Sequence, residues 1–546
     1  MKNGVLLLII LVVSSAVACS PAEPVADTTP EPSVTDPGPT TTHVASTSTV
    51  VPAPTRPSPM MEGENGHFVE ELFTVGGSID GYQPIGKLDG IGAYELDSNT
   101  VRLLVNHEVG AGSGYTYALA NGTQLTGARI SYFDVDKTTR AILDAGQAYD
   151  VAYDRSGSIV TNAAQISETE HPTHGFSYFC SAQLVDPGGG FGFVDQILFT
   201  NEEAGTKDHP HGGTIWALDV QNGALWGLPA LGRGAWENVT PLDTGEAGTI
   251  ALLMADDTNQ APLYLWIGSL HSEAGSDRFA YRNGLEDGTL HVWVAGDPAT
   301  GALTDFTGTG TSQPGVFVPI ASRDVTGAGA SGYDDAGYKD ADTLRNEAID
   351  ELGAFGFARP EDVATNPRDG TIVAFAATGA EAGTADWGAV YLVDVDFSAS
   401  SGPTADISIL HDSNDWGDEG IRNPDNVDWA ANGYIYVQED GFHPEFGSVG
   451  GRDASIMQLD PQGGAFVVVA EMKRSGRFAH LLGQWESSGI LDVTGLFGGA
   501  ENELLLVATV QPHGLNTRSF RADQMVRRIE EGQLVAGGQL IWVGRD

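Results

Sequence analysis

NPDNVDWAANGYIYVQEDG (residues 423–441) places an Asn-Gly pair between two short apolar runs. Asn-Gly in this position is the strongest short-range signal for a β-hairpin. If the pair forms a two-residue turn, counting outward sets Asp425 opposite Asp440, with Glu439 beside them. Like charges directly opposite one another destabilise a sheet. The stretch therefore predicts a hairpin whose open end gathers three carboxylates and needs a compensating positive charge.

Short apolar runs of the same kind recur along the whole chain, separated by Gly, Asp and Asn. The chain of 546 residues contains 71 Gly, and helical periodicity is scarce, with DADTLRNEAIDEL (340–352) as the best candidate for a helix. Many short strands joined by Gly-rich turns are typical of an all-β fold. We therefore expect an all-β protein with long loops and few short helices.

A second predicted hairpin, PEDVATNPRDGTIVAFAATG (360–379), resembles the first in its order of residues. Both begin with Pro and an acidic residue, pass through Val and a turn that ends in Gly, and lead into an apolar strand. Recurrence of one supersecondary unit is the pattern of propeller blades. We predict a β-propeller with six blades, and two packed β-sandwiches are the alternative.

The N-terminal segment is predicted to lie outside the propeller. Residues 1–19 read as a lipoprotein signal peptide, because the apolar run VLLLIILVV is too short to span a bilayer and AVAC places Cys19 for lipid attachment. Cleavage near Ala18 without lipid is the alternative. Residues 20–61 are rich in Pro, Thr and Ser, and we expect a disordered tether. Residues 62–546 are expected to form a single β-propeller domain, anchored to the cell envelope on its exterior or periplasmic side.

The chain is strongly acidic, with 27 Lys and Arg against 73 Asp and Glu and a formal net charge of −46. This charge argues against nucleic acid as a partner, because nucleic-acid sites need a basic surface. An anionic substrate would need bound cations that reverse the local field. Adaptation of the surface to a salty habitat is a compatible explanation of the charge. We expect a monomer that contacts a membrane only through the lipid on Cys19.

Acidic residues cluster at the ends of the predicted strands. The inner strands of a propeller end around one channel, so side chains at these ends are expected to converge. An uncompensated carboxylate cluster repels or becomes protonated, whereas Ca²⁺ accepts about six to eight oxygen ligands. Solvated strand ends or Asx turns are the alternative for any single cluster. The candidate metal ligands are Glu108, Glu202, Glu203, Glu237, Asp256, Asp257, Glu361, Asp425, Glu439 and Asp440.

Cys180 is the second of only two Cys residues. If Cys19 carries lipid, Cys180 cannot form an intramolecular disulfide, although the predicted compartment is oxidising. It is then either a buried filler or a metal ligand. A thiolate beside carboxylates favours a transition metal such as iron over calcium.

Taken in order, the strand-end motifs resemble those of the PhoX-type alkaline phosphatases, a β-propeller family. The matching motifs are VNHE (105–108), TNEE (200–203), WEN (236–238), DD (256–257), RPED (359–362), PDNV (424–427), QED (438–440) and VQPHG (510–514). The resemblance implies hydrolysis of phosphate monoesters at a cluster of Ca²⁺ and Fe³⁺ ions, with Cys180 on iron. The carboxylate ligands that it implies are Glu108, Glu203, Glu237, Asp257, Glu361 and Glu439. Typical members have a Cys where this chain has Asn201, which marks a divergent member.

These observations predict an exported metal-dependent phosphatase, a phosphoric monoester hydrolase that acts on small-molecule phosphate esters. The candidate catalytic residues are Asn106, Arg359 and Arg422. Either arginine could hold a phosphate through paired hydrogen bonds, or could serve only in a structural salt bridge.

Two other functions remain open from the sequence. One is a calcium-dependent propeller hydrolase of another class, such as a lactonase or a phytase. The other is a non-catalytic surface propeller that calcium only stabilises. Cys180 favours the phosphatase, because calcium-only enzymes have no use for a thiol.

Overall fold

β-Strands make up nearly all of the regular structure in the computed structural model of the chain. The structure describes residues 58–167, 170–205, 209–271, 278–297, 300–301, 303–380, 386–441, 443–474, 482–513 and 536–545. The predicted signal peptide with Cys19 and all but the last residues of the predicted tether lie outside this part of the chain. No helix in the described part is long and apolar enough to cross a membrane.

The strands are short and follow one another closely along the chain. They are β1 (Met61–Gly63), β2 (His67–Thr74), β3 (Leu88–Asp97), β4 (Thr100–His107), β5 (Tyr117–Ala118), β6 (Gln124–Leu125), β7 (Arg129–Asp136), β8 (Ile142–Gln147), β9 (Val151–Tyr153), β10 (Phe179–Val185), β11 (Ile197–Glu202), β12 (Ile215–Asp219), β13 (Ala224–Gly227), β14 (Trp236–Leu242), β15 (Thr249–Asp256), β16 (Asn259–Ala261), β17 (Tyr264–Ser269), β18 (Gly288–Ala295), β19 (Ser312–Ile320), β20 (Phe357–Ala358), β21 (Pro360–Thr365), β22 (Ile372–Ala377), β23 (Ala389–Asp396), β24 (Thr404–Asp412), β25 (Pro424–Trp429), β26 (Ile435–Glu439), β27 (Ser455–Leu459), β28 (Phe466–Met472), β29 (Glu486–Asp492), β30 (Leu505–Gln511) and β31 (Gln539–Arg545).

Helices are few and short, as predicted. The helix expected over 340–352 is present as α2 (Ala341–Asn346), which continues into a π-helical turn, and Asp340 caps its N-terminus by accepting from the main-chain N–H of Thr343. The remaining helical segments of the described residues are α1 (Phe279–Arg282), the π-helical turn Glu347–Glu351 and the 3₁₀ turns Ala163–Gln165, Pro229–Leu231, Leu303–Asp305, Val325–Gly327, Ser413–Asp415 and Gly417–Glu419.

The strand order divides the described residues into six four-stranded antiparallel units. Strand β19 also joins the third unit to the fourth by pairing with β24, and the last unit takes its outermost strand, β2, from the N-terminal side of the chain. In order, the units are β3-β4-β7-β8, β10-β11-β12-β13, β14-β15-β17-β18, β21-β22-β23-β24, β25-β26-β27-β28 and β29-β30-β31-β2.

The first strand of each unit lies innermost. Strands β3, β10, β14, β21, β25 and β29 contact one another in this order, and β29 in turn contacts β3. The contacts therefore close a ring around a central channel, and the predicted all-β propeller is confirmed. The central strands of the units are buried on both faces because neighbouring units stack on them, which explains their nearly continuous apolar sequence.

The turn of the opening hairpin differs from the predicted two-residue turn. The main-chain N–H of Gly433 donates to the carbonyl of Ala430, and Gly433 adopts a positive φ of 94° whereas Asn432 does not. A type I′ turn requires a positive φ at both central residues. Pairing therefore starts at Trp429 opposite Ile435, which shifts the predicted register by one residue.

The contact between the last and the first unit leads to a prediction about the stability of the protein. Phe73 in β2 and Phe133 in β7 are buried there with ring centroids 5.4 Å apart. We expect Phe73→Ala to lower the free energy of unfolding by about 3–5 kcal/mol, because it removes buried apolar surface and leaves a cavity. Chemical denaturation followed by fluorescence measures this change.

Phe73→Leu is the matched control, since it keeps most of the side-chain volume and should cost clearly less. A loss below about 1 kcal/mol for Phe73→Ala would show that closure of the ring does not depend on this contact.

Candidate metal centre

Each of the six innermost strands places one potential metal ligand at its first or second position. All of these side chains enter the channel at the same end of the ring, because the six strands start there. The residues are Asp89 in β3, Cys180 in β10, Glu237 in β14, Glu361 in β21, Asp425 in β25 and Glu486 in β29.

An irregularity in strand pairing surrounds five of these six ligands. In β10, for example, Phe179 and Ala182 are paired with β11, whereas Cys180 and Ser181 between them are not. The same shift encloses the ligands of β3, β14, β21 and β25. A β-bulge re-aims a side chain that the regular alternation would direct elsewhere. The repeated bulge therefore turns one ligand from each strand towards the channel.

Four innermost strands are also entered through a residue with left-handed backbone conformation. Lys87, Tyr178, Arg359 and Asn423 directly precede β3, β10, β21 and β25 and have φ between 44° and 55°. Non-glycine residues rarely adopt this conformation, and it costs on the order of 1 kcal/mol or more at each position. The left-handed conformation therefore recurs at four strand starts in the channel mouth, each time two residues before a ligand.

The second strand of each unit adds further side chains at its end. Glu108, Glu203, Asp257 and Asp440 each directly follow β4, β11, β15 or β26. In the fourth unit the equivalent residue is Thr378, whose hydroxyl donates to Glu361 Oε1 over 2.6 Å. The channel end of each unit is therefore built from the start of one strand and the end of the next.

These residues line one cavity of about 170 Å³. Nine carboxylates and one thiol face it, against one lysine, one arginine and one histidine. The lining residues are Lys87, Asp89, Glu108, Cys180, Glu203, Glu237, Asp257, Arg359, Glu361, Asp425, Asp440, Glu486, Ser488 and His513.

Potential ligand atoms in the cavity form four groups of three, and within each group the atoms lie within 4.8 Å of one another. Cys180, Glu237 and Asp425 each belong to two groups, so the groups form a continuous series. The groups are Asp89-Glu108-Cys180, Cys180-Glu203-Glu237, Glu237-Glu361-Asp425 and Asp425-Asp440-Glu486.

Burial and mutual repulsion raise the pKa of most acids in the series. Burial is the main cause and neighbouring carboxylates add to it, so that the pKa of Asp440 rises to about 8. The acidic groups whose pKa lies well above the usual value are Asp89, Cys180, Glu203, Glu237, Glu361 and Asp425. The protein therefore supplies too little positive charge of its own to keep these groups ionised.

Two acids in the cavity instead have a pKa that a basic partner lowers. Burial acts to raise the pKa of Asp257, but the charge and paired hydrogen bonds of Arg359 outweigh it and lower the pKa. The Arg359 Nε and Nη2 atoms donate to Asp257 over 2.8 and 2.9 Å. Likewise, His513 lies 3.0 Å from Glu486, and the pKa of the carboxylate is lowered while that of the imidazole rises to about 9.

The residues present fit a cluster of bound cations. Asp89 Oδ1 is buried and finds no hydrogen-bond partner among the described residues. The donor set consists of carboxylates and one thiol, which suit hard cations and a transition metal. Polar side chains also fix the ligands in place: Gln511 Nε2 donates to Asp89 Oδ2 over 2.8 Å and to Glu108 Oε2 over 2.9 Å. Ser181 Oγ donates to Glu237 Oε1 over 2.7 Å.

Three predicted ligands point away from the cavity, which corrects the predicted set. Glu202, Asp256 and Glu439 each directly precede a cavity residue in an acidic pair. Successive side chains in extended chain face opposite sides, so only the second member of each pair enters the channel.

The first members have other partners. Glu202 accepts from the main-chain N–H of Ser177 and Thr214, and Asp256 pairs with Arg345 at 3.0 Å. Glu439 is fully buried beneath two arginines, described below.

The three predicted catalytic residues are placed differently from one another. Arg359 lines the cavity and its Nη2 lies 3.0 Å from Glu361 Oε1. Arg422 is fully buried and pairs with Glu439 at 2.7 Å and Asp418 at 3.1 Å, so it does not line the cavity. Asn106 is also buried behind the cavity wall.

Asn106 supports the bulge of β10. Its side-chain N–H donates to the main-chain carbonyls of Cys180 over 2.7 Å and Ser181 over 3.2 Å. Its position therefore favours a structural contribution to the orientation of Cys180, rather than direct contact with a substrate.

Sequence reasoning missed several cavity residues, including Asp89, Glu486, Lys87 and Ser488. A signal for Glu486 exists, because QWESS repeats the Trp-Glu order of AWENV around Glu237. Comparing this segment with the strand start around Glu237 would have identified Glu486 as a candidate ligand. His513 belongs to a motif that supported the family resemblance, but the sequence assigned it no role. Asp89 follows a single Leu in KLDGIG and carries no comparable signal.

A propeller whose channel end is lined by ligand-bearing acids and a thiol defines a metal-binding enzyme architecture. Residues 227–495, close to half of the chain, match the family model of alkaline phosphatase PhoX. This match confirms the predicted resemblance to the PhoX-type alkaline phosphatases and the enzyme class, phosphoric monoester hydrolase. The chain is thus a phosphatase with a carboxylate-rich candidate metal site.

Comparison with a solved PhoX structure agrees on the fold. Pseudomonas fluorescens PhoX in complex with vanadate, a transition state analogue, is 15% identical, with a TM-score of 0.59 over 89% of this chain and 96% of that chain. A glucose dehydrogenase (11% identity, 72% and 86% coverage) and a puromycin-hydrolyzing peptidase of Mycobacterium tuberculosis (10%, 78% and 58%) have TM-scores of only 0.25 and 0.23. No curated protein matches the chain.

The two predicted ligands Glu361 and Glu439 now lead to opposite expectations. Glu361→Gln should keep the fold, because Thr378 can still donate to the remaining oxygen, but should lose bound metal and reduce turnover by orders of magnitude. Glu439→Gln should retain metal but lose about 3–5 kcal/mol of stability, because it leaves the buried Arg422 short of its charge partner. Elemental analysis, denaturation and activity assays of the folded variants separate the two effects.

Asp369→Asn, in the exposed turn between β21 and β22, is the matched control and should change neither property. Equal metal loss in Glu361→Gln and Glu439→Gln would contradict the division between the cavity and the buried arginine pair.

Removal of bound cations should destabilise the protein. A ligand that binds only the native state adds about 2.7 kcal/mol when it is present at 100 times its dissociation constant, and chelation would also restore the repulsion in the cavity. We expect chelator to lower the melting temperature and added Ca²⁺ to restore it. Calorimetry on protein whose metal content is verified tests this, and an unchanged melt in metal-free protein would refute it.

Proposed function

We propose that this protein is an exported phosphatase that hydrolyses phosphate monoesters of small molecules with a centre of Ca²⁺ and iron ions. The observation that carries the proposal is the continuous series of four ligand groups in one cavity, with Arg359 in the same wall. Such a site can concentrate positive charge for an anionic ester inside an otherwise acidic protein.

The chemistry of the ligand groups supports a division of metals along the series. Two groups share the Cys180 thiol, and a thiolate suits iron. The other two groups, which share Asp425, contain only carboxylates and suit Ca²⁺. We therefore assign the iron to the Cys180 side and calcium to the Asp425 side.

Bound cations would supply positive charge to the phosphate oxygens and to the leaving oxygen. The chain's own residues orient that centre. Arg359 holds Asp257 through two hydrogen bonds and Glu361 through a third contact, and is placed to contact a phosphate at the cavity wall. Lys87 donates to Glu108 over 2.9 Å and adds a second cationic group to the wall.

The hydrogen bonds behind the ligands restrict their motion. Asn426 donates to Ser181 Oγ over 2.6 Å, and Ser181 in turn donates to Glu237. Ligands fixed in this way need little rearrangement during the reaction, which is how supporting residues contribute to catalysis.

The location of the protein is part of the proposal. We infer that residues 1–19 direct export, that Cys19 carries lipid and that residues 20–61 hold the propeller away from the membrane as a monomer. Support comes from the apolar run, the AVAC motif and the Pro/Thr/Ser-rich composition. Labelling with a radioactive fatty acid in wild type and Cys19→Ala tests the anchor.

Cys180 provides the test of the metal assignment. We expect Cys180→Ser to lose iron and hydrolysis of p-nitrophenyl phosphate while calcium content and most of the stability remain. If the thiol is only a filler, the same change buries a hydroxyl and costs roughly 1–3 kcal/mol, with activity at low temperature preserved. Full activity and unchanged iron in the variant would remove Cys180 from the centre. An absence of phosphomonoesterase activity in fully metallated wild type would overturn the proposed function.

A further inference from the structure

A cavity of about 710 Å³ lies at the end of the ring opposite to the metal centre. The metal ligands lie at the starts of the inner strands, whereas this cavity is lined by Asn432, in the turn after β25, and Thr494, just after β29. The last unit forms most of its wall, and the fifth and the first unit contribute the rest. A molecule bound here would therefore leave the channel mouth at the metal centre free.

Two arginines in the wall, Arg140 and Arg545, have side chains without a polar partner among the described residues. The Arg140 guanidinium lies over the ring of Trp542, 6.0 Å from its centroid. Every other Lys and Arg side chain in the described part of the chain has a hydrogen bond or an ion pair. In a protein of formal net charge −46, two unpaired arginines in one cavity are an exception that a bound anion would explain.

Positive charge exceeds negative charge in this wall. The one carboxylate among its lining residues belongs to Glu503, whose Oε2 accepts from the main-chain N–H of Ala500 over 2.8 Å. Arg545 is an exposed residue and Arg140 is half-buried, so solvent reaches both side chains. Burial lowers the pKa of His67 in the same wall, and the charge of Arg545 adds to the effect. The two guanidinium groups are therefore the main charges that a ligand would meet.

Aromatic rings and amides form much of the remaining wall. Tyr434 is 39% exposed, and Phe68 and Phe497 are half-buried. Gln458 Nε2 and the amide of Asn502 have no hydrogen-bond partner in the part of the chain that the structure describes. Aromatic faces offer flat apolar surface to the C–H groups of a sugar ring, and free amides can bind its hydroxyls. This combination of groups is complementary to a hydroxyl-rich ring.

We propose that this cavity binds a sugar that carries an oxyanion, with Arg140 and Arg545 on the oxyanion and Tyr434 against the ring. Guanidinium groups bind oxyanions through paired hydrogen bonds. The oxyanion is either the carboxylate of a sugar acid or a sulfate ester. The site does not depend on the proposed phosphatase activity, because it shares no residue with the metal centre.

Calorimetric titration of the metal-loaded protein with glucuronate, glucose 6-sulfate and glucose tests the site. None of these probes is a phosphate ester, so hydrolysis at the metal centre does not interfere. We expect a charged sugar to bind at least about 10-fold more tightly than glucose, because only the charged sugar engages the guanidinium groups. A preference for one of the two charged sugars identifies the oxyanion.

Variants with opposite expected effects separate charge from folding. Arg140→Gln and Arg545→Gln should each weaken binding of the charged sugar about 10-fold, whereas Glu503→Gln should tighten it about 2-fold or more, because a nearby negative charge is removed. Arg323→Gln is the matched control: this exposed arginine does not line the cavity, so the same change of charge should leave binding intact. Melting curves verify that each variant folds, and Arg140→Gln gives the test alone if Arg545→Gln does not fold.

The ring contact has a test of its own. Tyr434→Ala should weaken binding of the charged sugar about 5-fold, because the exposed aromatic face is lost. Benzoate that binds as tightly as glucuronate would overturn the assignment to a sugar. Absence of binding of both charged sugars to wild type, binding no tighter than that of glucose, or identical isotherms in wild type and folded Arg140→Gln would overturn the proposal, whatever the protein's phosphatase activity.

Discussion

Repulsion among buried carboxylates is the constraint on which the rest of this structure depends. Nine carboxylates and a thiol face about 170 Å³, with only three basic side chains among them. In water each carboxylate would be ionised, but burial and proximity raise the pKa of most of them. Such an arrangement can persist only where a rigid frame holds the ligands together and cations offset their charge. The closed ring of six inner strands is that frame, and it makes the protein a metal-dependent phosphatase scaffold rather than an acidic surface.

The ring delivers its ligands by two simple rules of strand geometry. A bulge near the start of an inner strand turns one side chain, such as Glu237 or Asp425, into the channel. Alternation along the neighbouring strand then sends one member of each acidic pair to the same place and the other outward. Because the two rules recur from unit to unit, a linked series of ligand groups arises without any local metal-binding motif. The buried Arg422 and the half-buried Arg345 neutralise Glu439 and Asp256, two of the acids that face away.

The negative charge of the acids is therefore offset in two different ways within one acidic chain. In the channel the acids exceed their basic partners and require cations. Behind the channel, acids and arginines pair directly, as Glu439 does with Arg422 and Arg452. The formal net charge reveals none of these local differences.

The sequence by itself determined the all-β class, the recurrence of a hairpin unit, most of the acids at the channel and the resemblance to the PhoX-type alkaline phosphatases. These depend on local patterns: apolar runs, turn residues and motifs that a linear chain displays. Only the tertiary structure decided which member of each acidic pair is a ligand, that Arg422 is buried with Glu439, and that Asp89 and Glu486 complete the series. The turn at Asn432 shifts the pairing of β25 with β26 by one residue from the predicted register. The bulge around Asp425 directs the Asp425 side chain into the channel. The direction of a side chain depends on backbone dihedral angles and on contacts between strands that are far apart in the chain. Composition and residue spacing encode neither of these.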